Sequence, residues 1–210
     1  MVSPVYSVHS LVVYTVYMTA KSTAERIKAA ARRLLDREGS NAVTMRRVAA
    51  AIGMTPMALY RHVANRDDLL NALADEGFEE VAARAAKAFL PAHPEKQLMK
   101  VVDVFLDFAF QNPRMFELMF LERRKGARRF PADFRAGKSP TANFSARALE
   151  AGMKQGIFRK DDVWEIVFEA GAMLQGLMML YVGGRVEMQQ DEFRAFCHRS
   201  FRRYLNGIRK

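Results

Sequence analysis

The 210-residue sequence is nearly devoid of cysteine: Cys197 is the only one. A lone cysteine cannot close an intrachain disulfide, and it fits a reducing compartment such as the cytoplasm. Proline and glycine are also sparse, at seven and twelve. That is too few for a loop-rich β-sandwich and points to helix. No run reaches the ~18 uncharged apolar residues that a membrane-crossing helix needs. The longest candidates are Leu11–Met18 and Ala170–Val182, and the second is interrupted by Gln175 and glycines. Catalytic signatures are missing as well. There is no Gly-x-Ser-x-Gly, Walker loop, GxGxxG or zinc-type spacing, and the four histidines (His9, His62, His93, His198) are scattered. The expectation is a protein that is not an enzyme, with no cofactor and no metal.

What is present is a hydrophobic half, a charged 27%, and 33 Lys+Arg against 23 Asp+Glu, for a net charge of +10. This composition excludes disordered and collagen-like chains and allows one or two domains with a real core. A basic excess of this size suits a polyanion. Its placement is uneven: residues 20–66 carry +7 of it and residues 67–210 only +3. A small nucleic-acid-binding head on a nearly neutral body is the reading that follows. Residues 1–19 lack Asp, Glu, Lys and Arg altogether. They read as a disordered or adventitious extension, with Met18 as the start of the protein proper; the alternative is an arm that packs on the body or on DNA.

Helix signals begin at Ser22-Thr-Ala-Glu25, which has capping-box form. Ile27, Ala31, Leu34 and Leu35 follow at helical spacing, and Gly39 stops the helix. Thr44 caps a second short helix that ends at Gly53. Thr55-Pro56 starts a third, Pro56–Val63, with threonine as cap and proline at the first position. Asn65 caps a fourth, with Asp67 and Asp68 in its first turn, running toward Leu90. Pro91 to Pro94 breaks the chain. Further helical blocks are predicted over Lys96–Phe110, Met115–Leu121, Thr141–Gln155, Val163–Tyr181 and Asp191–Leu205, with mostly loop over residues 122–140. The fold class is all-α: a three-helix, helix-turn-helix DNA-binding domain (20–66), then a larger helical domain (67–210).

Two short helices joined across Gly53 make a helix-turn-helix. Ala49 is the small residue wanted where the helices cross, and Gly53 accepts the φ > 0 that the turn requires. Ile52, Leu59 and Val63 would face inward. Pro56, Met57, Ala58, Arg61 and the edge of Tyr60 would face a major groove.

These residues resemble a known family. Val43-Thr-Met-Arg-Arg-Val-Ala-Ala-Ala-Ile-Gly53, Thr55-Pro-Met-Ala-Leu-Tyr-Arg-His-Val63 and Asn65-Arg-Asp-Asp-Leu-Leu70 look like the DNA-binding domain of TetR-family transcriptional regulators. A second block, Asn112-Pro-x-Met-Phe-x-Leu-Met-Phe120, resembles part of the ligand domain of some members. The resemblance implies that Arg46 reaches phosphate or a base edge. Thr55, the cap of the recognition helix, is counted with the DNA-binding residues; the resemblance implies that Pro56, Met57 and Ala58 face the bases, and that Tyr60, His62 and Arg66 contact phosphate. It also implies a homodimer on a palindrome-like double-stranded operator, acting as a repressor and responding to an apolar small molecule, with no membrane involved. One departure from the family stands out. The base-facing trio has no hydrogen-bonding side chain, so reading would rest on thymine methyls and on Arg46 and Arg61.

Elsewhere several assignments stay open. His62 could be an idle surface histidine. Arg26, Lys28, Arg32, Arg33 and Arg37 read as a solvated face. Arg123, Arg124, Lys125, Arg128, Arg129, Arg135 and Lys138 form a second basic cluster, read as a solvated loop or as another nucleic-acid surface. Methionines concentrate in the C-terminal part, and methionine suits adaptable apolar pockets. Phe105, Met115, Met119, Met153, Met173 and Leu177 are the candidate pocket residues. Val167, Leu174, Met178, Phe193 and Phe201, on the last two helices, are the candidate dimer interface. Asp103, Asp107 and Glu169 read as exposed, and Cys197 as core. Two rivals remain: a non-specific nucleic-acid or membrane-surface binder using both basic clusters, and a ligand-binding module with a vestigial head.

Overall fold

The computed structural model describes residues 22–88 and 93–210. The readings made for residues 1–19 and for the break at Pro91-Ala92 lie outside the described residues. Among the described residues, ten α-helices follow one another. The head holds α1 (Thr23–Glu38), α2 (Met45–Ala51) and α3 (Pro56–Leu59). The long α4 (Arg66–Ala88) leads to α5 (Pro94–Gln111) and then to α6 (Pro113–Phe116), which runs into a π turn at Glu117–Leu121. A short α7 (Ala132–Arg135) precedes α8 (Pro140–Lys154), α9 (Val163–Val182) and α10 (Gln190–Gly207). Among the described residues there is no strand, only one isolated bridge between Phe158 and Arg209.

Local chemistry sets the helix starts. Ser22 and Glu25 exchange the two bonds of a capping box, 3.2 Å and 2.6 Å. Thr44, Thr55 and Asn65 each accept a backbone N–H three residues on, from Arg47, Ala58 and Asp68. Asp162 caps α9, accepting from the Trp164 and Glu165 N–H groups, and the Arg135 guanidinium beside it holds its carboxyl below the ordinary range. The third helix is shorter than the sequence predicts. The α register ends at Leu59, and Tyr60–His62 continue as a turn whose N–H groups reach back to Pro56, Ala58 and Leu59.

Packing then divides the apolar residues between two cores. The first joins the head (Ile27, Leu35, Val48, Ala49, Leu59) to Leu69 and Leu73 of α4 and to Phe108, Met115 and Leu118. The head is therefore not isolated: its core continues into α5, α6 and the π turn. Arg32, predicted to lie on a solvated face, ties α1 across this joint, donating to Asn112 Oδ1 at 2.9 Å and lying 3.6 Å from Glu80. The second core is built from α5, α8, α9 and α10 around Leu106, Phe116, Leu149, Phe158 and Phe193. Asp103 and Asp107 join α5 to α10 by pairing with His198 and Arg194.

Helix α9 has the length and composition of a membrane span, but it carries Glu165 and Glu169 and packs against α8, α10 and α5. Its inward stripe is Ile166, Val167, Leu174 and Met178. This corrects the predicted dimer interface. Val167, Leu174, Met178, Phe193 and Phe201 are all buried inside the single chain. The helix is apolar on nearly every side, so periodicity could not tell the face its own chain covers from the face left open. The positions left open near its C-terminal end are Met179, Leu180 and Val182, while the partly exposed Phe168 stacks its ring on Phe130.

Cys197 is fully buried, and burial pushes its thiol from 9.0 up to about 11. Ellman's reagent at pH 8 is expected to leave the folded chain unmodified and to titrate one thiol after denaturation. The native state holds this proton more tightly than the unfolded state does. Stability from this group is therefore present below pH 9 and is lost as pH rises from about 9 toward 11.

Candidate nucleic-acid interface and ligand cavity

The turn between α2 and α3 closes as the sequence predicts. Gly53 sits at φ +69, and nothing lies within 4 Å of where its Cβ would be. The glycine is required by the backbone angle and not by crowding. Ala49 is fully buried at the crossing, and its carbonyl accepts from Met54 N at 2.9 Å. With Leu59 fully buried beneath it, α3 turns its other side out. Met57 is 74% exposed, Pro56, Arg61 and His62 are exposed, and Ala58 is half-buried.

Tyr60 is 50% exposed, so its ring stands at the surface. Arg46 is exposed with no ion-pair partner among the described residues, whereas its neighbour Arg47 is held by Glu38 in a two-pronged pair at 2.7 and 2.9 Å. Adjacent arginines thus have different work. Arg66 is half-buried, and its guanidinium is largely engaged within the head, donating to Val43 O at 2.9 Å and Ser40 O at 2.8 Å. These bonds dock the start of α4 onto the loop that precedes α2. Arg46, Met57, Tyr60, Arg61 and His62 are all exposed, and this set includes two arginines and no carboxylate. Hydroxyl, imidazole and guanidinium groups placed so can donate to phosphate oxygens.

The second basic cluster is not a free surface. Arg124 is tied to Asn71 and to two backbone carbonyls, and Arg128 to Asp75 and Lys138 O. Arg135 pairs with Asp162 and Lys138 with Asp133. Four of its seven basic side chains are thereby engaged within the fold, which removes most of the support for a second nucleic-acid surface.

Inside the body lies a cavity of about 340 Å³, within the range of small-molecule sites. Its wall comes from α4 (Phe78, Val81, Ala85), α5, the π turn, α8, α9 and α10. Of the six predicted pocket residues, Phe105 and Met119 line it. Met115 packs instead in the joint between head and body, and Met153, Met173 and Leu177 pack against the second core. The difference has a physical source: the wall draws one or a few residues from each of several elements, and no spacing along the chain marks such a set. Arg124, Arg128, Ser139, Thr141, Ser145 and Gln175 add polar groups that were not anticipated. Among the described residues, no group of three or more His, Cys, Asp and Glu is placed to hold a metal ion.

Comparison with known proteins agrees with this architecture. Residues 27–73 match the family model of bacterial regulatory proteins of the tetR family. Residues 98–204, about half of the chain, match the model of the tetracyclin repressor-like C-terminal domain. A curated relative, the uncharacterised HTH-type transcriptional regulator YobS of Bacillus subtilis strain 168, is 24% identical over 100 residues. That match spans 48% of this chain and 52% of the relative, so about half the relative's length is matched. Among solved structures, a Rhodococcus sp. RHA1 protein of unknown function superposes with a TM-score of 0.74 at 22% identity, covering 91% of this chain and 98% of that one. A tetR-family regulatory protein, also from Rhodococcus RHA1, gives 0.66 at 23% identity over 90% of this chain and 98% of that one. At these identities the likeness is one of fold.

Proposed function

The chain belongs to the TetR family of transcriptional regulators, and from that premise we propose that it is a cytoplasmic, ligand-responsive repressor that binds a palindrome-like operator as a homodimer. One observation carries the ligand response. Helix α4 begins at Arg66, docked on the head, and contributes Phe78, Val81 and Ala85 to the cavity wall. A small apolar molecule in the cavity therefore touches the same helix that positions the head. Such a ligand changes DNA affinity only to the extent that it prefers the DNA-incompetent arrangement. The working division is a head of residues 20–66 and a ligand-binding, dimerising body of residues 67–210.

The dimer reading rests on the open side of the C-terminal end of α9, where Met179 is 50% exposed beside Leu180 and Val182. Contiguous exposed apolar side chains of this kind mark an interaction surface. A twofold dimer would place two copies of α3 about 34–36 Å apart, one turn of DNA.

Met57 is the base reader in this proposal. It is the most exposed apolar side chain of the recognition segment, and it can distinguish thymine only by contact with its methyl group. The test starts with selection of bound fragments from genomic DNA, which yields the operator. A protected palindrome supports the reading, and sequence-independent binding defeats it. Replacing thymines in each half-site by uracil removes only the methyl groups. One such replacement is expected to weaken binding about fivefold or more, and Met57→Ala to erase the difference between thymine and uracil.

A further inference from the structure

We propose that the segment between the π turn and α8, residues 122–139, is the element that couples the cavity to the head, with Arg124 as its positioning residue. This rests on the reading that cavity occupancy controls DNA binding, and it specifies the route.

The segment grips α4 at three successive places. The Arg124 Nη1 donates to Asn71 Oδ1 at 3.0 Å. The Arg128 Nη2 donates to Asp75 Oδ1 at 2.8 Å, and its guanidinium lies 4.8 Å from the centre of the Phe78 ring. Asn71, Asp75 and Phe78 are spaced by four and three residues, so they form one stripe of the helix. The stripe starts little more than one turn from Arg66, where α4 docks on the head. Between the two arginines the backbone itself presses on the helix: a Cβ at Gly126 would lie 2.7 Å from Asn71 Nδ2. No other residue type fits there without moving the segment or Asn71.

The same two arginines face the cavity, and both line it. Arg124 donates from Nε to Leu118 O at 3.0 Å and from Nη2 to Met119 O at 3.3 Å, both within the π turn. Met119 and Phe120 of that turn are also wall residues. Arg128 donates to Lys138 O at 2.7 Å, just before α8. Arg124 has no carboxylate within ion-pair distance among the described residues. Its place is set by neutral acceptors on two separate elements, the π turn and α4. Partial burial disfavours its charged form, so it is poorly compensated by solvent. A guest that displaces Met119, Phe120 or the Arg124 guanidinium alters both sets of bonds at once. The grip on Asn71 then loosens, and the head-bearing end of α4 is released.

The test uses a built-in occupant, so that no ligand need be known. Ser145 is a half-buried wall residue, and Ser145→Trp fills part of the cavity. The segment is locked by the pair Asn71→Cys and Gly126→Cys. A Cβ at Gly126 lies 2.8 Å from Asn71 Cγ, close to the roughly 3 Å between a Cβ and the far sulfur of a disulfide. The native Cys197 is buried and does not compete.

In the parent chain, Ser145→Trp is expected to weaken binding to the selected operator about tenfold, and in the oxidised, locked protein less than about twofold; the reduced double-cysteine protein lacks the Asn71 acceptor and is expected to bind as weakly as Arg124→Gln. Arg124→Gln without the lock removes the grip outright, so it is expected to weaken operator binding about tenfold by itself and to leave Ser145→Trp less than about twofold of further effect. Thermal melting confirms that each variant is folded. Should Ser145→Trp not fold, Val101→Trp, at another half-buried wall position, is the second occupant. If the occupant weakens DNA binding equally with and without the lock, and equally in Arg124→Gln, the route through residues 122–139 is wrong while the ligand response stands. If the occupant leaves operator affinity unchanged in the parent chain, the ligand response fails and the route falls with it.

Discussion

Removing the Arg46 and Arg61 side chains together is expected to lower operator affinity by about 100-fold at moderate salt and to reduce the slope of log K against log salt by about four. The slope follows from counting. Each arginine that neutralises a phosphate releases about one counterion, and a dimer presents two copies of each. Both side chains are exposed, and neither has an ion-pair partner among the described residues. Their full charge is therefore available to DNA.

The neighbouring Arg47 supplies the control. It is held by Glu38, and that pair raises the arginine pKa and lowers that of the glutamate. Arg47→Ala is expected to change operator affinity by less than about threefold, since its charge is already balanced and an exposed pair contributes little to stability. Filter binding or fluorescence anisotropy over a salt series measures both. An unchanged slope in the double variant would show that these arginines do not touch phosphate. A large loss in Arg47→Ala would show that the Glu38 pair opens on DNA.

Phe158→Ala is expected to lower the stability of the chain by about 3–5 kcal/mol, measured by urea unfolding with Trp164 fluorescence as the signal. Phe158 is 1% exposed and lies in the turn that follows α8. Its ring occupies the space above Gly152, whose Cβ would come within 2.6 Å of Phe158 Cε2. The backbone here is equally committed: Phe158 N donates to Gly152 O, Arg159 N to Ile208 O, and Lys210 N to Ile157 O. Losing the ring leaves a void where the end of α8 meets the C-terminal residues. The glycine supplies the complementary test. Gly152→Ala alone drives a methyl into the ring and is expected to cost about 1–3 kcal/mol, and less when Phe158 is already alanine. Additive costs would mean that the two residues do not share that space.

The head was readable from the sequence to nearly single-residue detail. Ser22 with Glu25, Thr44, Thr55 and Asn65 bond to backbone groups only three residues away, and Gly53 answers a local φ requirement. Interactions that short depend on little beyond the neighbouring residues. The exception within the head is Arg66. Nothing in its surroundings along the chain announces that its guanidinium reaches back to Ser40 and Val43, more than twenty residues earlier. The second basic cluster shows the same limit on a larger scale. Its charges were plain, but their partners Asn71, Asp75 and Asp162 lie on other elements.

By itself, then, the sequence determined the helical class, the helix-turn-helix and its caps, and the placing of most of the positive charge on the head. All of these follow from periodicity and from bonds closed within a turn or two. Tertiary structure alone decided which apolar residues are core, cavity wall or open surface. Met178 and Met179 are adjacent in sequence and identical in type, yet the first is fully buried in its own chain and the second is 50% exposed. Which of them is covered depends on where α8 and α10 dock, and so on the summed packing of residues far apart in the chain. The cavity and the arginine grip on α4 arise in the same way, because each is an arrangement of several elements and is a property of none alone.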